Sequence, residues 1–409
     1  MKIAIVGGGA SGMVAAYYLS KYGYSVTVYE KQAILGGNIR TLNRNVNVEN
    51  LDPSVVLEGG VVEFSSKFTH FLALMEELDI ELEPLKVGSA LFHRDAKRYL
   101  STTVIAGNTH GLASLLELLK VASVYLSATW LWLRVYFKPS SQLHDKPFSD
   151  YVKEKRVKNT WLKLLTMYCY SIPYKQIKKV PAELAIYILR SYMWADWKRI
   201  KGGVYRYIEK IESVLKGEVV LNANISGITR DNEGVTVSLT DNKEEHFDKL
   251  VFAVPPDQVL KLLSDPTEEE LRYFGPWREN IAKTVVHSDP LVYKRYGIRK
   301  PSEFDFFQTE EGWGYNACLN RICGLSSGQQ YHLAYNIDGL IAEENIVQTF
   351  EHHTPLYTVD ALHYRNDVIA NNGKNHTYHA GAYLYDGLHE GAVISGKRVA
   401  ELIKRSASI

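Results

Sequence analysis

The chain has 409 residues, enough for two closely packed domains and for a core that encloses a large cofactor. Lysine plus arginine (47) nearly cancels aspartate plus glutamate (46), so no global field recruits nucleic acid, and any electrostatic partner has to be met by a local patch. Three cysteines (Cys169, Cys318, Cys323) without a C-x-x-C pair argue against a disulfide scaffold and a zinc site, and make a reducing, cytoplasmic setting the expectation.

Lys2-Ile3-Ala4-Ile5-Val6 is an apolar, β-branched run of the kind that forms a strand buried on both faces of a parallel sheet. Glycines interrupt the apolar stretch after Val6, so it is expected to be a first strand and not a secretory leader. Gly7-x-Gly9-x-x-Gly12 follows at once. These glycines let the chain turn tightly, let the backbone approach a pyrophosphate and let the next helix, predicted over 11–22, pack closely on the sheet. The amides and dipole of that helix would face the phosphates. Ser25–Tyr29 alternates as a second strand and ends in Glu30, where a carboxylate accepts hydrogen bonds from both ribose hydroxyls of an adenosine and disfavours a 2′-phosphate.

After a five-residue gap come Gly36, Gly37, Asn38, Arg40 and Thr41. With this extension the opening resembles the dinucleotide fingerprint of the flavin-containing amine oxidase superfamily, which implies FAD as cofactor. The resemblance implies contacts from Gly7, Gly9, Ala10, Ser11 and Gly12 at the diphosphate, from Glu30 with Lys31 beside it at the ribose, and from Gly36, Gly37, Asn38 and Arg40 along the diphosphate and ribityl chain. An arginine there would act as a forked donor.

The resemblance continues along the chain. Glu58-Gly59-Gly60-Val61-Val62-Glu63-Phe64 resembles the acidic, glycine-containing strand that passes the flavin, with Gly59, Gly60 and Val61 as contacts and Gly60 as the close-approach glycine. Gly202-Gly203 opens a helix leading back to the cofactor domain. Glu218–Ile225 resembles the strand and turn that meet the adenine through Ile225. Phe247–Pro256 resembles a strand ended by proline, with Ala253 and Val254 at the cofactor. His376–Gly381 and the E-G-A-x-x-S-G helix from Gly387 to about Lys404 complete the set; they imply contacts from Gly381, Ala382, His389, Glu390, Gly391 and Ala392, and a helix N-terminus aimed at the flavin pyrimidine, where reduction places negative charge. Two positions depart from most relatives: Ala382 replaces an acid that reaches the ribityl or phosphate region, and Leu388 replaces an aromatic wall of the amine cage. The pattern is similar to a bacterial branch near fatty acid isomerases, prenylcysteine oxidases and carotenoid desaturases.

The implied fold class is α/β, a Rossmann-type FAD-binding domain (1–70, 200–264, 368–409) with an inserted, discontinuous α+β substrate domain, helical over 71–199 and sheet-forming over 265–367. Within the insert, 111–137 reads as a helix whose thirteen uncharged residues from Val121 to Leu133 fall short of the ~20 needed to span a bilayer. A buried core helix is the favoured expectation; a wall of an apolar tunnel, or peripheral contact with a membrane surface, is the alternative. Lys153, Lys155, Arg156 and Lys158, then Lys175, Lys178 and Lys179, read as a solvated basic face, with attraction of an acyl carboxylate or anionic headgroups as the alternative.

His352, His353, His363, His376 and His379 lack ligand spacing, so no metal is expected. His389 beside the helix N-terminus, Lys283 on an alternating strand and Tyr315 are the catalytic candidates, with Asn316 and Tyr205 as further pocket residues. The implied activity is an FAD-dependent oxidoreductase taking hydride from a hydrophobic, acyl, polyene or amine-bearing small molecule; the alternatives are a double-bond isomerase of an unsaturated lipid and a non-catalytic FAD-binding carrier. Nothing in the sequence fixes the oligomeric state.

Overall fold

The computed structural model describes residues 1–407 apart from 96, 138, 140, 141, 152–156, 295 and 327; of the side chains at 157 and 158 nothing is described. Lys153, Lys155 and Arg156 therefore lie outside the described residues.

A five-stranded sheet gathers the cofactor segments. Its order is Gly217–Val220, Ser25–Tyr29, Lys2–Val6, Lys249–Phe252, Thr377–His379, with every neighbouring pair parallel. Buried on both faces, its central strand has Ile3, Ala4 and Ile5 fully inaccessible, as the unbroken apolar run requires. The first helix, Ala10–Lys21, and the C-terminal helix, His389–Ser406, lie side by side. Their approach is set by Gly396, where a Cβ would stand 2.5 Å from the Ser11 carbonyl oxygen. The two ends of the chain are thus packed backbone to backbone.

A second sheet of seven strands, mostly antiparallel, runs in the order Ile346–Pro355, Glu279–His287, His332–Tyr335, Trp313–Cys318, Phe304–Gln308, Ser89–Phe92, Arg98–Tyr99. Beside it lie the helices Gly111–Tyr136, Val157–Tyr170 and Ala182–Tyr192, which pack on one another.

Two expectations change. The boundary at residue 71 falls inside the helix Thr69–Glu77, whose Glu77 accepts hydrogen bonds from Tyr17 (3.0 Å) and Tyr18 (2.8 Å) of the first helix, so this element packs with the cofactor unit. And the helix Gly111–Tyr136 is not a core helix: only Ala128 and Val135 are buried along its 26 residues. Apolar composition had suggested burial, but one flank alone finds neighbours.

Candidate active site

A continuous cavity of about 420 Å³ starts at the carboxyl ends of the parallel strands and runs into the space between the two sheets. Its floor is made by the glycine turn. Gly7 has φ +111°, and a Cβ there would lie 2.5 Å from the Ala253 carbonyl oxygen; a Cβ on Gly12 would lie 1.9 Å from the Gly7 carbonyl oxygen. Both glycines serve the close packing of turn, strand and helix. Gly9 is different, since a Cβ there would meet nothing nearer than the Gly37 Cα at 3.6 Å, and the position opens onto the cavity. The first helix begins at Gly9 without a side-chain cap, and Gly9, Ala10 and Ser11 line the cavity, so its leading amides are placed to receive a ligand's anionic group.

Glu30 is held at the end of its strand by the amides of Gly8 (2.7 Å to Oε2) and Gln32 (2.9 Å to Oε1), which leaves each oxygen a lone pair for a ribose hydroxyl. Tyr29, Ala223, Ile225, Ala253, Val254 and Leu262 line the same end, an apolar slot of the kind that takes an adenine. This donor set and clearance fit a dinucleotide diphosphate with its nucleoside.

At the far end of the cradle lie Gly60, Val61, Gly381, Ala382, His389 and Ala392. His389 starts the C-terminal helix. Its ring packs edge-on to Phe64, Phe71 and Tyr207, its Nε2 is 2.7 Å from the Tyr207 hydroxyl, and burial pushes its pKa down to about 4, so the imidazole is neutral. Asp386 caps this helix, its Oδ1 accepting from the amides of Leu388 (2.8 Å) and Gly391 (2.9 Å). Part of the positive helix end is therefore already met by a carboxyl whose own pKa burial raises to about 6.

Beyond this point the cavity becomes a chamber walled by tyrosines: Tyr168, Tyr170, Tyr192, Tyr315, Tyr357 and Tyr383, with Cys169. Glu63 projects from the segment that passes the cradle. The Tyr168 hydroxyl lies 2.7 Å from both of its carboxylate oxygens, and burial raises the Glu63 pKa to about 8 despite that hydrogen bond. Burial likewise raises the Cys169 thiol and lowers His352 to about 4. At neutral pH these chamber groups are uncharged.

Most of the expected cofactor residues line the cavity: Gly7, Gly9, Ala10, Ser11, Glu30, Lys31, Gly36, Gly37, Asn38, Gly60, Val61, Ile225, Ala253, Val254, Gly381, Ala382, His389 and Ala392. Five others do not. Gly12 is behind the turn. Arg40 is buried, donating to the Gly37 and Ile39 carbonyls and to Gln32 Oε1 (2.6 Å), so it braces the Gly36-Gly37 turn from outside the cavity. Gly59 lies against Phe350, and its carbonyl takes bonds from Thr284 (2.7 Å) and His352 (3.0 Å). Glu390 caps the helix Thr69–Glu77 by accepting from the His70 (2.9 Å) and Phe71 (2.8 Å) amides, and Gly391 packs on Asp386.

Among the catalytic candidates, Tyr315 and His389 reach the cavity and Lys283 does not. Lys283 is half exposed and paired with Asp338 at 3.0 Å, because the strand alternation turns Ala282 and Thr284 inward and Lys283 out. Asn316, one residue past Tyr315, faces His287 (2.8 Å) on the other side of its strand, and Tyr205 is likewise outside the lining. Glu63 and Tyr168 went unpredicted as a pair. The acid stands in the quoted Glu58–Phe64 stretch, but its partner is 105 residues away. Side chains with chelating spacing do meet, His144 with Asp145 and His363, and Asp257 with Glu279 and His353; His363 and Asp145 are 2.9 Å apart and His353 and Asp257 3.0 Å, as hydrogen bonds.

The profile of the family described as flavin containing amine oxidoreductase matches residues 10–279. The chain is similar to 4,4'-diapophytoene desaturase (4,4'-diaponeurosporene-forming) of Staphylococcus aureus, 26% identical over 261 residues that cover 56% of this chain and 50% of that protein. It is similar to flavin-containing amine oxidase B of Rattus norvegicus, 24% identical over 293 residues, 66% and 53% of the two chains. It thus spans about half the length of the curated relatives it matches. Among solved structures, the CLA-producing fatty acid isomerase from P. acnes shares the fold, with a TM-score of 0.71 at 16% identity over 98% of both chains.

Proposed function

Because the chain belongs to the flavin containing amine oxidoreductase family, we propose that it is an FAD-dependent oxidoreductase that oxidises an apolar small molecule seated in the tyrosine chamber. FAD supplies the hydride-accepting chemistry when bound. Everything else falls to the chain's own residues. The amides of Ala10 and Ser11, with Gly9 and Gly37 beside them, would hold the diphosphate; Glu30 would hold the adenosine ribose; Ala223 and Ile225 would cover the adenine; and Gly60, Val61 and Ala392 would flank the ring.

The observation that carries the substrate class is the uncharged chamber. Its tyrosine rings exclude water and supply broad apolar faces, and Glu63, His352, His389 and Cys169 are all shifted toward their neutral forms. A permanently cationic substrate would have to be desolvated against a carboxyl that holds its proton up to about pH 8. Glu63, hydrogen-bonded to Tyr168, keeps a proton on its carboxyl oxygen inside the chamber, available to a polar atom of the substrate. Leu388 adds to the apolar wall where an aromatic cage residue would favour an amine.

The test is anaerobic mixing of the flavin-loaded protein with a long-chain polyene and, separately, with a primary amine of equal length. Bleaching of the visible flavin band by the polyene, slower with the amine at neutral pH, is the expected result; bleaching by the amine alone contradicts the proposal. A product two hydrogens lighter marks net oxidation, whereas a product of unchanged mass marks isomerisation.

A further inference from the structure

The helix Gly111–Tyr136 turns an apolar side outward. Leu112, Leu116, Leu119, Leu126, Trp130 and Leu133 recur three, four or seven residues apart, which places them on one stripe, and they are exposed by 50% (Leu133) to 72% (Leu112, Leu126). Phe137, at 84% exposure, continues the stripe past the helix end. At 1.5 Å per residue the stripe is about 39 Å long. Soluble monomers rarely leave so large an apolar surface uncovered.

The charge around it indicates what covers it. Residues 101–200 hold fifteen Lys and Arg against six Asp and Glu, a net charge of +9 in a chain whose total is +1. Lys120 and Arg134 on the helix, and Lys146, Lys175, Lys178 and Lys179 in the segments that follow it, are exposed. The one acid of the helix, Glu117, is 13% exposed and paired with Lys120 at 3.0 Å. An apolar stripe on a helix within this basic stretch of the chain complements an anionic lipid surface, whereas a second copy of the same +9 stretch would repel it.

The helix is long and apolar enough to cross a bilayer, but both of its ends are fastened to one body. At the start Thr109 and Ser114 share a hydrogen bond at 2.9 Å beside Asn108, which is bonded to Lys300; at the end the Val135 carbonyl accepts from Arg190. Its inner flank rests on the helices Val157–Tyr170 and Ala182–Tyr192. Such a helix lies along a membrane and does not cross it.

We infer that the stripe from Leu112 to Phe137 seats this protein on an anionic bilayer surface, with the helix in the plane of the headgroups. The two helices beneath it carry Tyr168, Tyr170 and Tyr192 of the chamber, so the chamber lies directly behind the docked face. Passage of an apolar substrate along that route rests on the function proposed above; lipid binding does not.

Co-sedimentation of the full flavin-loaded chain with phosphatidylcholine vesicles, with and without phosphatidylserine, tests the inference. The wild type is expected to partition to the serine-lipid vesicles, to be released by salt, and to lose about ten-fold or more in partitioning in the Leu126→Glu/Trp130→Glu double variant. Brominated lipid should quench the wild-type tryptophan emission, and Trp130→Phe should remove most of that quenching, a reading independent of how the charged variant folds. A wild type that stays in the supernatant with both vesicles overturns the inference. So does a lipid-independent dimer that the double variant dissolves, which would put a second copy on the stripe. Flavin content, measured on the same samples, reports separately on the proposed function.

Discussion

The cradle and the chamber are halves of one cavity built by opposite means. In the cradle the working surface is backbone: glycines 7, 9, 36 and 37 remove side chains so that amides and carbonyls come close, and two of the neighbours most intimate to it, Gly12 and Gly396, act by letting helices approach. In the chamber the working surface is side chain, with Glu63, Tyr168, Tyr192, Tyr315 and Tyr357 arriving from distant segments. A backbone site tolerates almost no added atom. A side-chain site tolerates shape changes but is sensitive to the charge it excludes.

The largest effect should come from breaking the cradle. Gly12→Val places a Cβ within 1.9 Å of the Gly7 carbonyl and forces the turn off the first helix. The purified variant is expected to retain less than about a tenth of the wild-type flavin absorbance, given overpacking costs of ~1–3 kcal/mol or more. Full flavin content in that variant would show that the turn is not the cofactor's seat.

Breaking the chamber should instead change the pH response. Glu63 sits at about 8 when folded against an ordinary 4.5, so its neutral form favours folding: the contribution is full below pH 4.5 and is lost as pH rises through about 8. Wild-type stability should therefore fall over that window, and Glu63→Gln should flatten the fall by on the order of 1–3 kcal/mol in denaturant titrations at pH 5 and pH 9. The flattening is partial because Glu58, which holds Thr41 and the Val204 amide, is also raised to about 8. The same variant should lose any inflection of kcat/KM near pH 8. Parallel stability curves for wild type and variant would contradict the burial of a proton at Glu63.

The smallest effect is reserved for a residue in neither half. Lys283→Ala removes an exposed ion pair with Asp338 and should change kcat/KM less than about two-fold and stability by under ~1 kcal/mol. A large loss of activity would return that lysine to the site.

The same contrast explains what could be read from the chain. Cradle residues announce themselves because a tight turn, an amide-lined helix start and a ribose-binding acid need fixed local spacing, and Gly7 to Glu30 supplies all three within one β-α-β unit. Arg40 went astray because its fork is claimed by the Gly37 and Ile39 carbonyls and by Gln32, competition that spacing does not display. In the chamber, a shift of one residue along a strand separates Lys283 outside from Thr284 inside, and Glu63 acquires its chemistry only when Tyr168 closes over it. The long apolar helix shows the same limit, since composition marks its faces as greasy without saying which one is covered.

The central claim is that the two chain ends, packed at Ser11 and Gly396, hold one flavin dinucleotide at the mouth of an uncharged chamber. Titration of the folded, flavin-free protein with FAD tests it most directly, followed by visible absorbance and by the rise in melting temperature. One FAD per chain with a clear stabilisation is the predicted result; a well-folded protein that takes up no FAD would contradict it.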